Sequence, residues 1–132
     1  MRPIESGKPG HLKRKSRAGA RLASRKRAAW GYLIVWEFQV RAGIEERFEK
    51  VCGSDGDWAR FFSQDKAYMG TELIRDLKGE RIYVTLDFWT SQESYESFRK
   101  RHHTKYKALD RKYEEMTESE REIGRFARVS SR

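Results

Sequence analysis

The stretch that most constrains the fold runs from Arg81 to Tyr106. In RIYVTLDFW, Ile82, Val84, Leu86 and Phe88 alternate with Tyr83, Thr85, Asp87 and Trp89. Only an extended strand projects a period of two onto two separate faces. One face is wholly aliphatic or aromatic. The other adds a hydroxyl and a carboxylate to two rings, which suits a lined cavity or a subunit contact better than open water or a dry core. Thr90 is then expected to cap a helix, with Glu93 reaching back to the Thr90 N–H as in a capping box. At about 100° per residue, Tyr95, Phe98, His102, Tyr106, Leu109, Tyr113 and Met116 fall on one stripe of that helix, predicted to run to Met116. His102 is the one histidine of the stripe, and histidine is the side-chain type whose ordinary charge change falls near neutral pH.

The preceding chain supplies a strand, YLIVWEFQV, and an amphipathic helix carrying Ile44, Phe48, Val51 and Cys52 on its apolar side. After a polar turn, Asp57 is expected to cap a short helix burying Trp58, Phe61 and Phe62. SDGDW lacks the spaced carboxylates of a calcium loop. MGTELIRDL and the strand beginning at Ile82 form a hairpin across Lys78-Gly79-Glu80. EIGRFARV supplies a last strand after a second capping box at Thr117 and Glu120. Strand, helix, strand, strand, helix, strand gives an α+β chain: a ferredoxin-like four-stranded antiparallel sheet with helices on one face. Trp36, Tyr83 and Trp89 suggest large aromatics on more than one side of that sheet. A homodimer joined through the face of Tyr83, Thr85, Asp87 and Trp89 is the expected cover.

Charge divides the chain in two. Met1–Ala29 holds ten of the 29 Lys and Arg residues and one of the 20 acids, so 19 bases meet 19 acids from Trp30 onward. With almost no large apolar side chain to offset ordering entropy, residues 1–29 read as a disordered basic tail, and residues 30–132 as one domain. The tail's charge suits non-specific contact with nucleic acid, or with an anionic surface. A transit peptide and an over-long start are the other readings; Gly and Pro interrupt the amphipathic helix that the former needs. The apolar run Tyr32–Trp36 is far too short to span a bilayer. One cysteine, Cys52, excludes an internal disulfide and fits a reducing compartment, with the cytoplasm as default.

The YLIVWEF start, the DGDWARFF segment, the AYMGTEL strand and the FWTSQESYESFRKRH unit, in that order, resemble the antibiotic biosynthesis monooxygenase family of dimeric α+β barrels. The resemblance covers about residues 30 to 129. It implies a ferredoxin-like dimer, in some members a cofactor-free oxygenase acting on polycyclic aromatics and in relatives a haem-degrading enzyme. The chain contains no asparagine, so the Asn that serves both kinds of relative has no counterpart, and the haem reading weakens most. Trp58 and His102 occupy neighbourhoods that match the family's Trp and His.

The residues exclude several other chemistries. His11, His102 and His103 form no HExxH, paired-cysteine spacing is absent, and no phosphate-cradling glycine loop or nucleophile elbow is present. No metal and no cofactor is expected. A cofactor-free oxygenase needs a base, an apolar pocket and donors to an anion. His102 is the candidate base. Tyr83, Tyr106 and Trp89 are candidate donors, with Trp36, Trp58 and Phe62 as aromatic walls around a small aromatic or polycyclic substrate. The competing interpretation of His102 is a packed residue. The competing class is a non-enzymatic dimeric barrel that binds a small hydrophobic ligand, its basic tail adding nucleic-acid attraction. Sequence-specific RNA recognition is disfavoured, since ERIYVTLDF lacks the glycine and basic start of an RNP1 strand.

Overall fold

A computed structural model describes residues 27–129. Four strands, β1 (Tyr32–Val40), β2 (Tyr68–Arg75), β3 (Ile82–Trp89) and β4 (Thr117–Ala127), form one antiparallel sheet in the order β2-β3-β1-β4. Helices α1 (Glu45–Cys52) and α2 (Asp57–Phe62) connect β1 to β2; α3 (Gln92–Arg101) and α4 (His103–Tyr113) connect β3 to β4 through a 3-10 turn at Glu114–Met116. This is the ferredoxin-like arrangement. All four helices serve one sheet face.

That face is the one carrying Tyr83, Thr85, Asp87 and Trp89. Register sets these residues beside Phe38, Trp36, Ile34 and Tyr32 of β1, so Trp36, Tyr83 and Trp89 all point to the same side rather than to two. Trp89 is 0 % exposed, ringed by Phe62, Tyr68, Tyr95 and Phe98. A second cluster joins Val40, Phe48, Val51, Tyr83 and Met116. Burying rings of this size supplies most of the apolar driving force. The expectation that a partner copy covers this face is therefore corrected: the chain's own helices cover it. The uncovered side carries Leu33, Val35, Val84 and Leu86, with Ile74 51 % and Phe126 45 % exposed.

Local signals were partly displaced. The side chain that caps α3 is Ser91, whose Oγ accepts from Ser94 N at 3.1 Å, while Thr90 meets only the Ser94 hydroxyl. The long helix breaks at His102, whose backbone (φ −114°, ψ 28°) leaves the helical region. Thr117 opens β4 directly instead of capping a helix, and Gly56, not Asp57, holds the N-cap of α2. Two strands carry bulges. In β2 the register slips between Tyr68 and Gly70, where Gly70 takes φ +115°, a conformation that costs other residues. The slip lets both Tyr68 and Thr71 face the helices. In β4 the register slips opposite Val35 and Trp36.

Arg27, assigned to the tail on charge and on the scarcity of large apolar side chains, packs on the sheet: Nε donates to Met69 O at 3.1 Å, Nη1 to Glu72 at 2.7 Å, and the guanidinium lies 4.8 Å from the Phe88 ring. Met1–Lys26, with the nucleic-acid contact expected there, lie outside the described residues.

Candidate functional site

Between the helix-facing side of the sheet and the helices lies a cavity of about 300 Å³. Its floor is polar. Thr71 of β2 and Thr85 and Asp87 of β3 line it beside Ile34 of β1. The β2 bulge is what sets Thr71 opposite Asp87. Thr71 Oγ1 donates to Asp87 Oδ1 at 2.5 Å, and because that spends its proton, Tyr68 OH donates to Thr71 Oγ1 in turn. Burial pushes the Asp87 carboxyl up to about 6, the hydrogen bond from Thr71 opposing the rise. Burial likewise drives the Tyr68 and Tyr106 phenols up.

The walls are aromatic. Trp36 and Phe38 stack with centroids 6.4 Å apart on β1; Phe48 of α1, Trp58 and Phe62 of α2, and Tyr95, Tyr106 and Tyr113 from the stripe on α3 and α4 complete them. Tyr106 packs edge-on to Trp58 at 5.1 Å. The Arg99 guanidinium also lies on Tyr106, 3.6 Å from its ring centroid. Arg99 Nη1 donates to Tyr95 OH at 2.8 Å, leaving the Tyr95 hydroxyl hydrogen free to donate. Cys52 also lines the cavity, but burial holds its thiol up at about 12, far from the thiolate a nucleophile needs. At the mouth stand Asp110, Glu114 and Glu120, all exposed. Burial raises the Glu120 carboxyl, and the charges of Asp110 and Glu114 raise it further.

Four of the seven residues expected at a site, Trp36, Trp58, Phe62 and Tyr106, meet around this cavity. Three do not. Tyr83 is 2 % exposed, packed on Phe48 with its hydroxyl donating to Glu49 at 2.5 Å. Trp89 is sealed in the core, its indole N–H without a partner among the described residues. His102 sits at the junction of α3 and α4, half-buried, its ring 4.4 Å from Phe98 and 6.1 Å from Phe61, neither of which lines the cavity. The helix stripe is real, but its turn at His102 lies against those two rings. The residue that sequence reasoning passed over is Asp87. Its signal was present: a lone carboxylate on an aromatic strand face. The mouth acids gave none, since acids on an exposed helix end and an edge strand read as solvated charge.

No group of His, Cys, Asp or Glu among the described residues could hold a metal ion, and none of their helices is long and apolar enough to cross a membrane. The sequence profile described as antibiotic biosynthesis monooxygenase matches residues 31–108. No curated protein matches the chain in sequence. Among solved structures, SnoaB, a cofactor-independent oxygenase from Streptomyces nogalater, is 20 % identical with a TM-score of 0.58, covering 78 % of this chain and 97 % of its own. A conserved protein from Methanosarcina mazei Go1 is 12 % identical with a TM-score of 0.57, over 78 % of this chain and 97 % of that one. MhuD, solved with two manganese protoporphyrin IX molecules bound per active site, is 18 % identical with a TM-score of 0.55, over 76 % and 96 %. At such identities the likeness is one of fold.

Proposed function

The chain belongs to the antibiotic biosynthesis monooxygenase family, and on that premise we propose that it is a cofactor-independent oxygenase for a planar, hydroxylated aromatic substrate, with Asp87 as its base. The observation that carries this reading is the cavity itself: aromatic walls over a floor whose one ionisable group is a carboxylate poised near neutrality. Ring walls take flat apolar ligands. A carboxylate raised to about 6 is ionised at neutral pH, yet basic enough to accept a proton from an acidic phenol or benzylic C–H.

Proton transfer to Asp87 leaves a resonance-stabilised anion toward which the Tyr95 hydroxyl can donate. The anion supplies the electrons that reduce O2, and a C–O bond forms. The resulting peroxide breaks its O–O bond, leaving one oxygen as a carbonyl and releasing the other as water. The substrate methylene thus provides all four electrons and no reductant is required.

The test is oxygen uptake with a panel of hydroxylated polycyclic aromatics and no added flavin, haem or metal. Asp87→Asn keeps the shape and an acceptor for Thr71 but removes the base, so turnover should fall about 10²- to 10⁴-fold, and wild-type turnover should rise with pH through about 6. His102→Gln should leave turnover proportional to folded protein. Loss in the His102 variant with retention in the Asp87 variant would return the base to the histidine.

The finer reading of assembly is a homodimer joined through the uncovered sheet face. Leu33, Val35, Val84, Leu86, Ile74 and Phe126 make its apolar centre, and the Glu37–Arg121 ion pair at 2.5 Å lies on its rim. A patch of this kind on a sheet is more often an interface than a bare surface.

A further inference from the structure

The charge of the cavity runs against the chemistry just assigned. An anion formed on the floor, once Asp87 has taken its proton, would look out through a mouth of three carboxylates, Asp110, Glu114 and Glu120. Among the described residues no Lys, Arg or His lines the cavity. Like charges this close disfavour an anionic species, and the Glu120 carboxyl, raised first by burial, is raised further by the charges of Asp110 and Glu114. Among the described residues none of the three forms a salt bridge. The cations beside the cavity walls are set against rings or paired elsewhere: Arg99 lies on the Tyr106 ring and donates to Tyr95, Arg47 and Lys112 stand 5.8 and 5.2 Å from the centroid of the Tyr113 ring, and Arg125 is paired with Glu122 at 3.1 Å.

We infer that this cavity selects an aromatic cation, a ring system bearing a protonated or quaternary amine whose charged group sits among the mouth carboxylates. The inference rests on the cavity of the proposed function and narrows its substrate class. Two features of the fold meet at the mouth to make the site. Cross-strand register sets Glu120 beside Phe38, the ring that stacks with Trp36. An ammonium there would have ring faces on one side and carboxylates on the other, the pairing that recognises alkylammonium groups elsewhere. A permanent positive charge on the substrate would also offset the anion left when Asp87 takes its proton, so the species facing the three mouth carboxylates is a zwitterion rather than a net anion.

Three tricyclic probes of one shape and different charge test this: N-methylacridinium, neutral acridine and acridine-9-carboxylate, titrated into the full chain near neutral pH and followed by fluorescence. The cation should bind roughly tenfold or more tighter than acridine, equivalent to about 1.4 kcal/mol, and the carboxylate weakest. Joint substitution Asp110→Asn, Glu114→Gln and Glu120→Gln should bring the cation to the affinity of acridine and leave acridine unchanged. If that triple variant loses its cooperative melt, Glu120→Gln alone carries the test and must weaken the cation selectively. Acridine binding as tightly as the cation, or selectivity that survives neutralisation, overturns the inference. Binding of none of the three overturns both the inference and the ligand site beneath it. Selective cation binding without oxygen uptake leaves the inference standing and removes the oxygenase reading.

Discussion

The two faces of β3 carry eight alternating residues of one strand and have opposite fates. Ile82, Val84, Leu86 and Phe88 form the more apolar set, yet they lie on the face that the helices leave bare. Tyr83, Thr85, Asp87 and Trp89 include the polar groups and lie beneath the helices. Hydropathy alone would assign them the other way round. What decides is where the aromatic stripes of the helices find complementary rings: Phe62, Tyr95 and Phe98 close around Trp89, and Phe48 meets Tyr83. A covered face can hold a carboxylate when a cavity and a hydroxyl receive it. A purely aliphatic face is what a second sheet can cover without leaving polar groups unsatisfied.

The sharpest way to break this comparison is to truncate neighbours on opposite faces. Trp89→Ala empties a fully enclosed site and should cost about 3–5 kcal/mol of unfolding free energy, the usual range for buried aromatics. Phe88→Ala removes a half-buried ring held edge-on by Trp30 at 5.3 Å and by Arg27, and should cost about 1 kcal/mol in the monomer. Denaturant melts of both variants give the ratio. Equal losses would mean that the outer face is packed as tightly as the inner.

Much of this arrangement was legible beforehand. Period-two alternation defined β1 and β3, the hairpin turn at Lys78-Gly79-Glu80 joined β2 to β3, and the stripe from Tyr95 to Met116 identified the buried side of α3 and the half-buried side of α4. The illegible part was long-range. No proline or glycine marks the break at His102, so the sequence reads there as one continuous helix. The face of β3 that becomes covered depends on helix docking, which no window of sequence contains. The same holds for the mouth: Glu120 becomes a cavity residue only because β4 pairs with β1 and places it beside Phe38.

Asp87 sharpens the comparison energetically. Its carboxyl is raised from 3.8 to about 6 by burial, so between those values the folded chain binds more protons than the unfolded one and stability falls as pH rises. Below about 4 both states are protonated and the buried group costs nothing extra. Asp87→Asn should therefore match wild type near pH 4 and exceed it by about 3 kcal/mol above pH 6, the free-energy equivalent of the shift. Thermal melts across that range would show the two curves separating. Parallel curves would place Asp87 in water, and an unstabilised variant that also loses turnover would leave only its catalytic part intact.

The smallest effect on chain stability is expected where the largest effect on assembly is. Leu86 pairs with Val35 and Glu72 at the centre of the uncovered face, and a lysine there projects from an open sheet, where its stem lies along apolar neighbours and its ammonium reaches water. Leu86→Lys should change the unfolding free energy of the isolated chain by no more than about 1 kcal/mol. In a dimer the same side chain would place one ammonium from each copy in a shared apolar interface, a cost of several kcal/mol that association through this face cannot meet. Light scattering should then report one chain mass for the variant and twice that for wild type. Thr85→Lys, on the covered face, is the reciprocal control: it should unfold the chain rather than divide the dimer, because its ammonium would enter an enclosed cavity floor between Trp36 and Leu73. A wild-type monomer, or a Leu86→Lys variant that keeps the dimer mass, would move the interface off this face altogether.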